Sequence, residues 1–533
     1  MGRPMSRFCR DVVIIGAGPT GLALAVALRQ YGLGVTVLEK EPGTKRQVRA
    51  SVLWQRALEI LRDLGCAERF LDQGLTLRQA VFHVRGREIG RHAMTVPGTA
   101  FPQPLSIEQI AIEALLAERL RELGTEVRWN SEAVAVRPGE RAAQVDVRGP
   151  DGTLETLDCR WVVGCEGAHS VVRGTLGLLF EGERRTGLQA VQINARPRWP
   201  YPYAPDTTYF FIERRASLIV SPRPGGGYRF FCFRDDPDPG HVAPPDVEEM
   251  RELVARVAHD PDVRLVPTEP EWFNRARFHD RVAATFRVGP ALLAGDSAHL
   301  WAPVGGRGLN TGLRGVHNLA WKLAAVHQGH ARDALLDTYT AEQRAIAREV
   351  MRQMRRNVLE LPPSVPTLAA MRLFGPALLR SETFNRQGRN LLSELFRHYR
   401  SGPLAADRGG RGALRAGDRL PDLPVTESGR QRRLHDLLSY ERWTLLVGAA
   451  SGVATTGTVP GLIDTVELRR VLDRYAVRAE VFGIRAGKGV AEGPAPGTLL
   501  LVRPDGHIGL RARAGDVRAL DAYLGSWFVR RGG

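Results

Sequence analysis

Three glycines and one acid, Gly16, Gly18, Gly21 and Glu39, stand at the spacing that holds a dinucleotide, in the stretch DVVIIGAGPTGLALAVALRQYGLGVTVLE from Asp11 to Glu39. Gly16 permits a tight turn, Gly18 lets backbone approach a pyrophosphate, and Gly21 lets the next helix pack closely on the strand. The pyrophosphate then rests on the helix N-terminus, where unpaired N–H groups and the helix dipole favour an anion. Glu39 ends a second apolar run, where a carboxylate accepts both hydroxyls of an adenosine ribose. Its charge repels a 2'-phosphate, so the site favours FAD or NAD over NADP. The elements that position these residues are a β-branched strand at Val12 to Ile15, an alanine- and leucine-rich helix, and a strand at Val35 to Leu38.

A flavin dinucleotide needs further contacts for its ribityl chain and ring. LLAGDSAHLWAPVGGRGLNTGLRGVHNLAWKLA, from Leu292 to Ala324, has a matching layout. Ala291 to Ala294 reads as a short buried strand, Pro303 and the glycines from Gly305 to Gly308 as a loop, and Leu313 to Leu323 as a helix. Lys40, beside the terminal acid, and Val134, in a later meander, complete the candidate cofactor set.

The chain has 533 residues with an apolar fraction of 43%, enough for two to four domains with substantial cores. No apolar run reaches the length of a membrane span. MGRPMSRFCRD has no apolar signal core, so the expected location is the cytoplasm. The net charge of +16 invites a nucleic-acid reading, but lysine occurs only at Lys40, Lys45, Lys322 and Lys488. The arginines are scattered among acids without aromatic-interleaved basic blocks, so no nucleic-acid partner is expected. Cys9, Cys66, Cys159, Cys165 and Cys232 form no CxxC pair, and neither a disulfide framework nor a metal site is indicated.

The pattern is α/β. It predicts a discontinuous Rossmann-like cofactor domain over 1–180 and 287–350, with an amphipathic helix at Ile107 to Leu123 and strands at Ala133 to Arg137 and Ala143 to Val147. A mainly β domain fills 181–286. There Tyr209, Phe211, Tyr228, Phe230 and Phe231 are candidates for the wall of an aromatic-substrate pocket, although strands are enriched in aromatics for packing reasons too. A helical segment covers 351–405. The final region, 412–533, alternates strands and helices in an order compatible with a thioredoxin-like module, and it holds no cysteine for thiol redox chemistry.

Three ordered motifs resemble the FAD-dependent aromatic hydroxylases, the single-component flavoprotein monooxygenases: GAGPTG with Glu39, GCEGAHSVVR from Gly164 to Arg173, and LLAGDSAH with PVGGRGLNTG. The likeness covers about residues 10 to 400, and the tail is similar to the extension of the phenol- and polyketide-hydroxylase branches. Arg49, Gln109 with Glu113, and NLAWKL at Asn318 to Leu323 fall where such enzymes carry similar residues. The resemblance implies that Asp296 binds the ribityl hydroxyls, that Pro303 lies beside the isoalloxazine, and that backbone N–H groups at Gly308, Leu309 and Asn310 face its pyrimidine end. Arg49 is implied to contact the flavin or guide its motion. Two departures are Glu166, where the middle motif usually has Asp, and Gly315, where the helix often has an acid. The resemblance associates this motif with both flavin and reduced-nicotinamide contacts, so Glu166 is expected to keep the charge but move it outward by one methylene, which makes NAD(P)H affinity less secure than FAD binding.

The implied reaction is hydroxylation of an aromatic substrate, a phenol or polycyclic polyketide, with O2 and NADPH or NADH through a C4a-hydroperoxyflavin. No second GxGxxG serves the nicotinamide, which must act from a transient surface site. No catalytic base is identified; His299 and His83 are candidates. Baeyer-Villiger or epoxidising chemistry stays open, as does a flavin protein that captures a reactive intermediate without NAD(P)H-driven turnover. A homo-oligomer is also open.

Overall fold

The computed structural model describes residues 10–44, 52–269, 271–302, 304–355, 363–409, 413–448, 465–486 and 494–531. Arg49 and Pro303 lie outside the described residues. The first sheet has eight strands, and its parallel centre places Arg10–Ile15 between Leu154–Gly164 and Val35–Leu38. Val12, Val13 and Ile14 are fully buried, as an uninterrupted β-branched run covered on both faces must be. Ala291–Leu293 extends this sheet in parallel beside Leu154–Gly164. Both cofactor motifs thereby leave the same edge.

The second sheet has nine strands and includes the hairpin of Gln79–Val84 and Arg87–Ala93 as well as strands from Phe180–Arg198 onward. This hairpin departs from the expectation that the sheet is confined to 181–286. Its strand pairs in parallel with Thr207–Glu213, with Phe82 opposite Phe210. Parallel pairing over such a separation leaves no local turn signal to read. The helix Val247–Ala258 covers one face of this sheet, and the other face looks toward the cofactor domain.

A third, seven-stranded sheet carries Trp443–Gly448 in parallel with Ala479–Ala486 and antiparallel to Thr498–Val502, with helices Thr465–Arg474 and Val517–Trp527. This is the thioredoxin-like order anticipated from the strand pattern. No helix among the described residues is long and apolar enough to cross a membrane.

The third sheet meets the cofactor domain through a buried network of charges. Arg503 binds Glu342 at 2.6 Å and Asp505 at 2.9 Å; Lys322 binds Glu342 at 2.8 Å; and Asn318 donates to both carboxylates. Nearby, Arg419 holds Glu59, which also pairs with Arg56 at 2.9 Å. Burial pushes the Glu342 carboxyl up, but Arg503 and Lys322 outweigh that effect and leave it lowered. Burial pushes the Lys322 ammonium down to about 8. The NLAWKL stretch, on the helix Arg307–His327, thus supplies interdomain anchors.

Arg503→Met leaves Glu342 and Asp505 buried with fewer partners, and is expected to lower stability by about 3 to 5 kcal/mol; urea denaturation of the variant measures the loss. A second expectation concerns acid. Burial pushes His435 and His507 down to about 4, whereas an unfolded histidine titrates near ~6.5. The unfolded chain therefore takes up protons first, so the stability present above about pH 6.5 is lost progressively on acidification toward about pH 4. Thermal melts from about pH 7.5 to about pH 5 should show a falling midpoint.

Candidate functional site

Gly16 has a φ of 103°, and a Cβ there would lie 2.6 Å from the Cys165 carbonyl oxygen. A Cβ at Gly21 would lie 2.0 Å from the Gly16 carbonyl oxygen, so the helix Pro19–Gln30 can meet the turn only through glycine. Gly18 differs. A Cβ there would meet nothing within 4 Å, and the helix it precedes has no side-chain cap. The first turn therefore presents its N–H groups across open space, as a pyrophosphate requires.

Glu39 is buried, and its carboxylate accepts the backbone N–H of Ala17 at 2.9 Å and that of Glu41 at 3.2 Å. It therefore pins the glycine turn to the second strand, a role that its position after the strand did not reveal. Its remaining lone pairs can still receive ribose hydroxyls. Lys40 is exposed, Val134 is half-buried on the strand Glu132–Pro138, and Gln109 donates to Glu113 at 2.9 Å.

The second motif begins with Gly295–Ser297, a single tight turn after the strand Ala291–Leu293. Asp296 is exposed, with Oδ1 3.8 Å from where a Cβ on Gly308 would stand. Its carboxylate thus lies beside the N-terminus of the loop helix, Arg307–His327. That N-terminus also lacks a side-chain cap, and Gly306 enters it in the left-handed region at φ 64°. Gly308 and Leu309 are half-buried there. The Asn310 side chain donates to the carbonyls of Val52 and Gly306 and accepts the Trp54 backbone N–H at 2.8 Å. The Trp54 indole donates to the Gly305 carbonyl at 2.6 Å. Neither contact was legible in the sequence, because each joins segments far apart in the chain.

The middle motif ties the two halves together. Glu166 accepts the Ser170 hydroxyl at 2.9 Å, the Val172 N–H at 3.0 Å and the Ser297 hydroxyl at 3.1 Å, while Ser297 accepts the Gly167 N–H at 2.9 Å. Its carboxylate is turned inward, which corrects the expectation that the longer side chain carries its charge outward. Capping donors recruit it first.

Four of the five aromatic candidates also need correction; Phe231 alone faces the cofactor domain. Tyr209, Phe211, Tyr228 and Phe230 are buried on the side of the second sheet covered by the helix Val247–Ala258, in one cluster with Val254 and Val257. Side chains alternate along a strand, so their neighbours Phe210, Ile219 and Phe231 occupy the cofactor-facing side. Phe210 stacks on Phe82 at 4.9 Å, packed with Val52, Trp54 and Leu392. Leu392 in turn approaches Gly305. The run TTYFFI is apolar on both parities, which is why its sequence did not show which face was which.

His83 lies on the helix-covered side, stacked on Phe211 at 4.6 Å, and burial lowers its pKa. His299 stacks on Trp301 at 4.7 Å, and burial pushes it down to about 3. Both are neutral near pH 7, and the described residues identify no general base.

Two uncapped helix N-termini, an open glycine cradle and Asp296 alongside fit a bound dinucleotide with a ring at the second terminus. The comparisons agree with that geometry. An FAD-binding domain family matches residues 10–354, and the aromatic-ring hydroxylase C-terminal family matches 414–530. The chain is 34% identical to the 12-dehydrotetracycline 5-monooxygenase/anhydrotetracycline 6-monooxygenase of Streptomyces rimosus, over 93% of this chain and 94% of that protein. It is 31% identical to the rifampicin monooxygenase of Streptomyces venezuelae, over 97% and 98%. Its fold is similar to the solved anhydrotetracycline hydroxylase OxyS from Streptomyces rimosus, with a TM-score of 0.75, 30% identity, and 97% and 99% of the two chains covered.

Gly18→Ala and Gly21→Ala separate cofactor space from packing. Ala at 18 is expected to leave the apoprotein melting temperature unchanged while FAD occupancy falls, because its methyl enters the cradle. Ala at 21 should lower both. Equal FAD occupancy in Gly18→Ala and wild type would show that the cradle is not used.

Proposed function

The chain belongs to the FAD-dependent aromatic-ring hydroxylases, and from that premise we propose that it hydroxylates a polycyclic aromatic phenol of the polyketide kind. It is an FAD-dependent monooxygenase, and NAD(P)H is the reductant. The observation that carries the substrate reading is the half-buried apolar face of Phe82, Phe210, Ile219 and Phe231, of which Phe82 and Phe210 pack with Val52 and Leu392, the neighbours of Gly306 and Gly305. Relatives named for tetracycline and rifampicin substrates support a large fused-ring ligand there.

When bound, FAD supplies the chemistry: electrons from NAD(P)H activate O2, and one oxygen atom passes to the ring carbon. The chain's contribution is position and exclusion. The N-terminus of Pro19–Gln30 would hold the pyrophosphate, with Glu39 on the adenosine ribose. Asp296 would hold the ribityl chain, and the N-terminus of Arg307–His327 would stabilise negative charge at the pyrimidine end of the ring. Trp54 and Asn310 fix the loop that presents those N–H groups. The aromatic face orders the substrate and keeps water away from the reacting atoms. No side chain is assigned as a base.

Purified protein is expected to be yellow and to oxidise NAD(P)H faster when a polycyclic phenol is added, with product heavier by one oxygen. NAD(P)H consumption indifferent to every phenol tried, with no oxygenated product, would instead favour a protein that captures an intermediate. Arg49→Ala is expected to slow flavin reduction in stopped flow more than it weakens phenol binding.

A further inference from the structure

Arg229 sits between Tyr228 and Phe230 on the strand Tyr228–Asp235. Those two rings enter the helix-covered core, so the pleat sends the arginine to the cofactor-facing side, with Phe231 next on that side. It is 4% exposed. Its Nε donates to Asn194 Oδ1 at 3.1 Å, and its guanidinium carbon stands 4.6 Å from the centre of the Trp272 ring. Nη1 and Nη2 are buried with no hydrogen-bond partner among the described residues.

Among the described residues no carboxylate forms an ion pair with this guanidinium, and Glu108 only favours its charge from a distance. Glu108 is held by Arg223, which also donates to Thr268, and Arg223 repels Arg229. Burial, with Arg223 adding to it, pushes the Arg229 pKa down to about 9, so the group stays cationic at neutral pH. Arg503 and Arg419, also buried, each hold a carboxylate, and buried Arg307 places both Nη groups on oxygen acceptors, Gln353 and the Leu391 carbonyl. An unpaired buried charge is strongly unfavourable in a folded chain and persists where a ligand completes it.

The site has a built orientation. Across the strands, Asn194 and Ser221 are the direct neighbours of Arg229, and the contacts to Asn194 and Trp272 fix the guanidinium edge that carries Nε. The two Nη groups remain, and a pair of N–H donors in one plane matches an anionic oxygen ligand. The contacts of Arg223 with Glu108 and of Ser106 with the Pro222 carbonyl put this end of the sheet against the cofactor domain.

We propose that Nη1 and Nη2 of Arg229 bind an acidic oxygen of the aromatic substrate, either a carboxylate or the ionised hydroxyl of a phenol or enol. The inference rests on the reading above that the cofactor-facing side of the sheet receives that substrate. Anchoring an acidic oxygen at one end of the apolar face sets which ring carbon is presented to the cofactor. Arg229 is thus a specificity-determining residue.

The test uses the FAD-loaded protein and four probes of one skeleton: anthraquinone-2-carboxylate and its methyl ester, and 2-hydroxyanthraquinone and its methyl ether. Binding is read by tryptophan fluorescence quenching, FAD content separately by absorbance. At a pH where the hydroxyl is ionised, at least one acidic probe should bind about tenfold or more tighter than its neutral partner. Which acid does so distinguishes carboxylate from phenolate. Arg229→Met should bring that ratio to near one with FAD content and neutral-probe binding unchanged, and its melting temperature should equal or exceed that of wild type. Arg229→Lys, which keeps the charge without the paired donors, should give an intermediate ratio and serves if the Met variant does not fold. A ratio near one in wild type, or an undiminished ratio in a folded variant, overturns the proposal. So does a variant that loses FAD while keeping its acid preference. Acid preference that vanishes in Arg229→Met, in a protein that oxygenates none of these compounds or any other phenol, would leave this site standing and sink the hydroxylase reading instead.

Discussion

The contact on which the site depends is the side chain of Thr20, lodged where two glycines leave room for it. A Cβ on Gly295 would come within 2.8 Å of Thr20 Oγ1, and one on Gly312 within 2.6 Å. Thr20 is on the first turn of Pro19–Gln30, Gly295 opens the turn bearing Asp296, and Gly312 lies in the first turns of Arg307–His327. One threonine therefore sets how closely two helices and a loop approach. Any larger spacing would separate the two uncapped N-termini, and an elongated dinucleotide must satisfy both. The hydrogen bonds of Glu166 and Ser297 close the same junction from the other side.

The parts of this arrangement readable from sequence are those where one residue answers one backbone requirement. Gly16, Gly18 and Gly21 are such residues, since a turn, an approach and a helix crossing each exclude a side chain locally. The fold class followed because strand and helix periods differ and the elements alternate in order. What could not be read was parity and pairing. In TTYFFI both alternations are apolar, so the face that meets the cofactor domain is decided by which side the helix Val247–Ala258 covers. That helix carries a strong amphipathic pattern, but nothing local states its partner. The addition of Gln79–Val84 to the sheet, and the hold of Trp54 on Gly305, are choices of the same long-range kind.

The third sheet acts on the site at a distance through charge. The helix Gln55–Asp63, whose N-cap is Trp54, carries Arg56 and Glu59 into the interface with Arg419 and Asp505. Its last residue, Asp63, meets His317 of the loop helix at 3.1 Å, and His317 stacks on Tyr440 at 4.2 Å. Lower on the loop helix, Asn318 and Lys322 join the network around Glu342. Both elements that frame the Gly305 loop are thereby gripped from behind by residues of the last domain. A module without cysteine can still matter to flavin chemistry, as a clamp on the two helices that aim the loop.

Charge burial in this chain follows two patterns, and the difference is informative. At the interface with the third sheet, Arg503, Glu342, Lys322 and Asp505 satisfy one another with several hydrogen bonds each, and removing a member strands the others. Such a network specifies how domains meet and needs no outside component. On the second sheet the number of partners is far smaller than the number of donors, although the surroundings are just as buried. Desolvation compensated only by Asn194, the Trp272 ring and the distant Glu108 charge is not what folding alone selects, because a neutral side chain of similar size would fold as well or better. The two patterns differ in how the charge is met, by mutual ion pairs at the domain contact and by one amide and one ring on the second sheet, rather than in residue type.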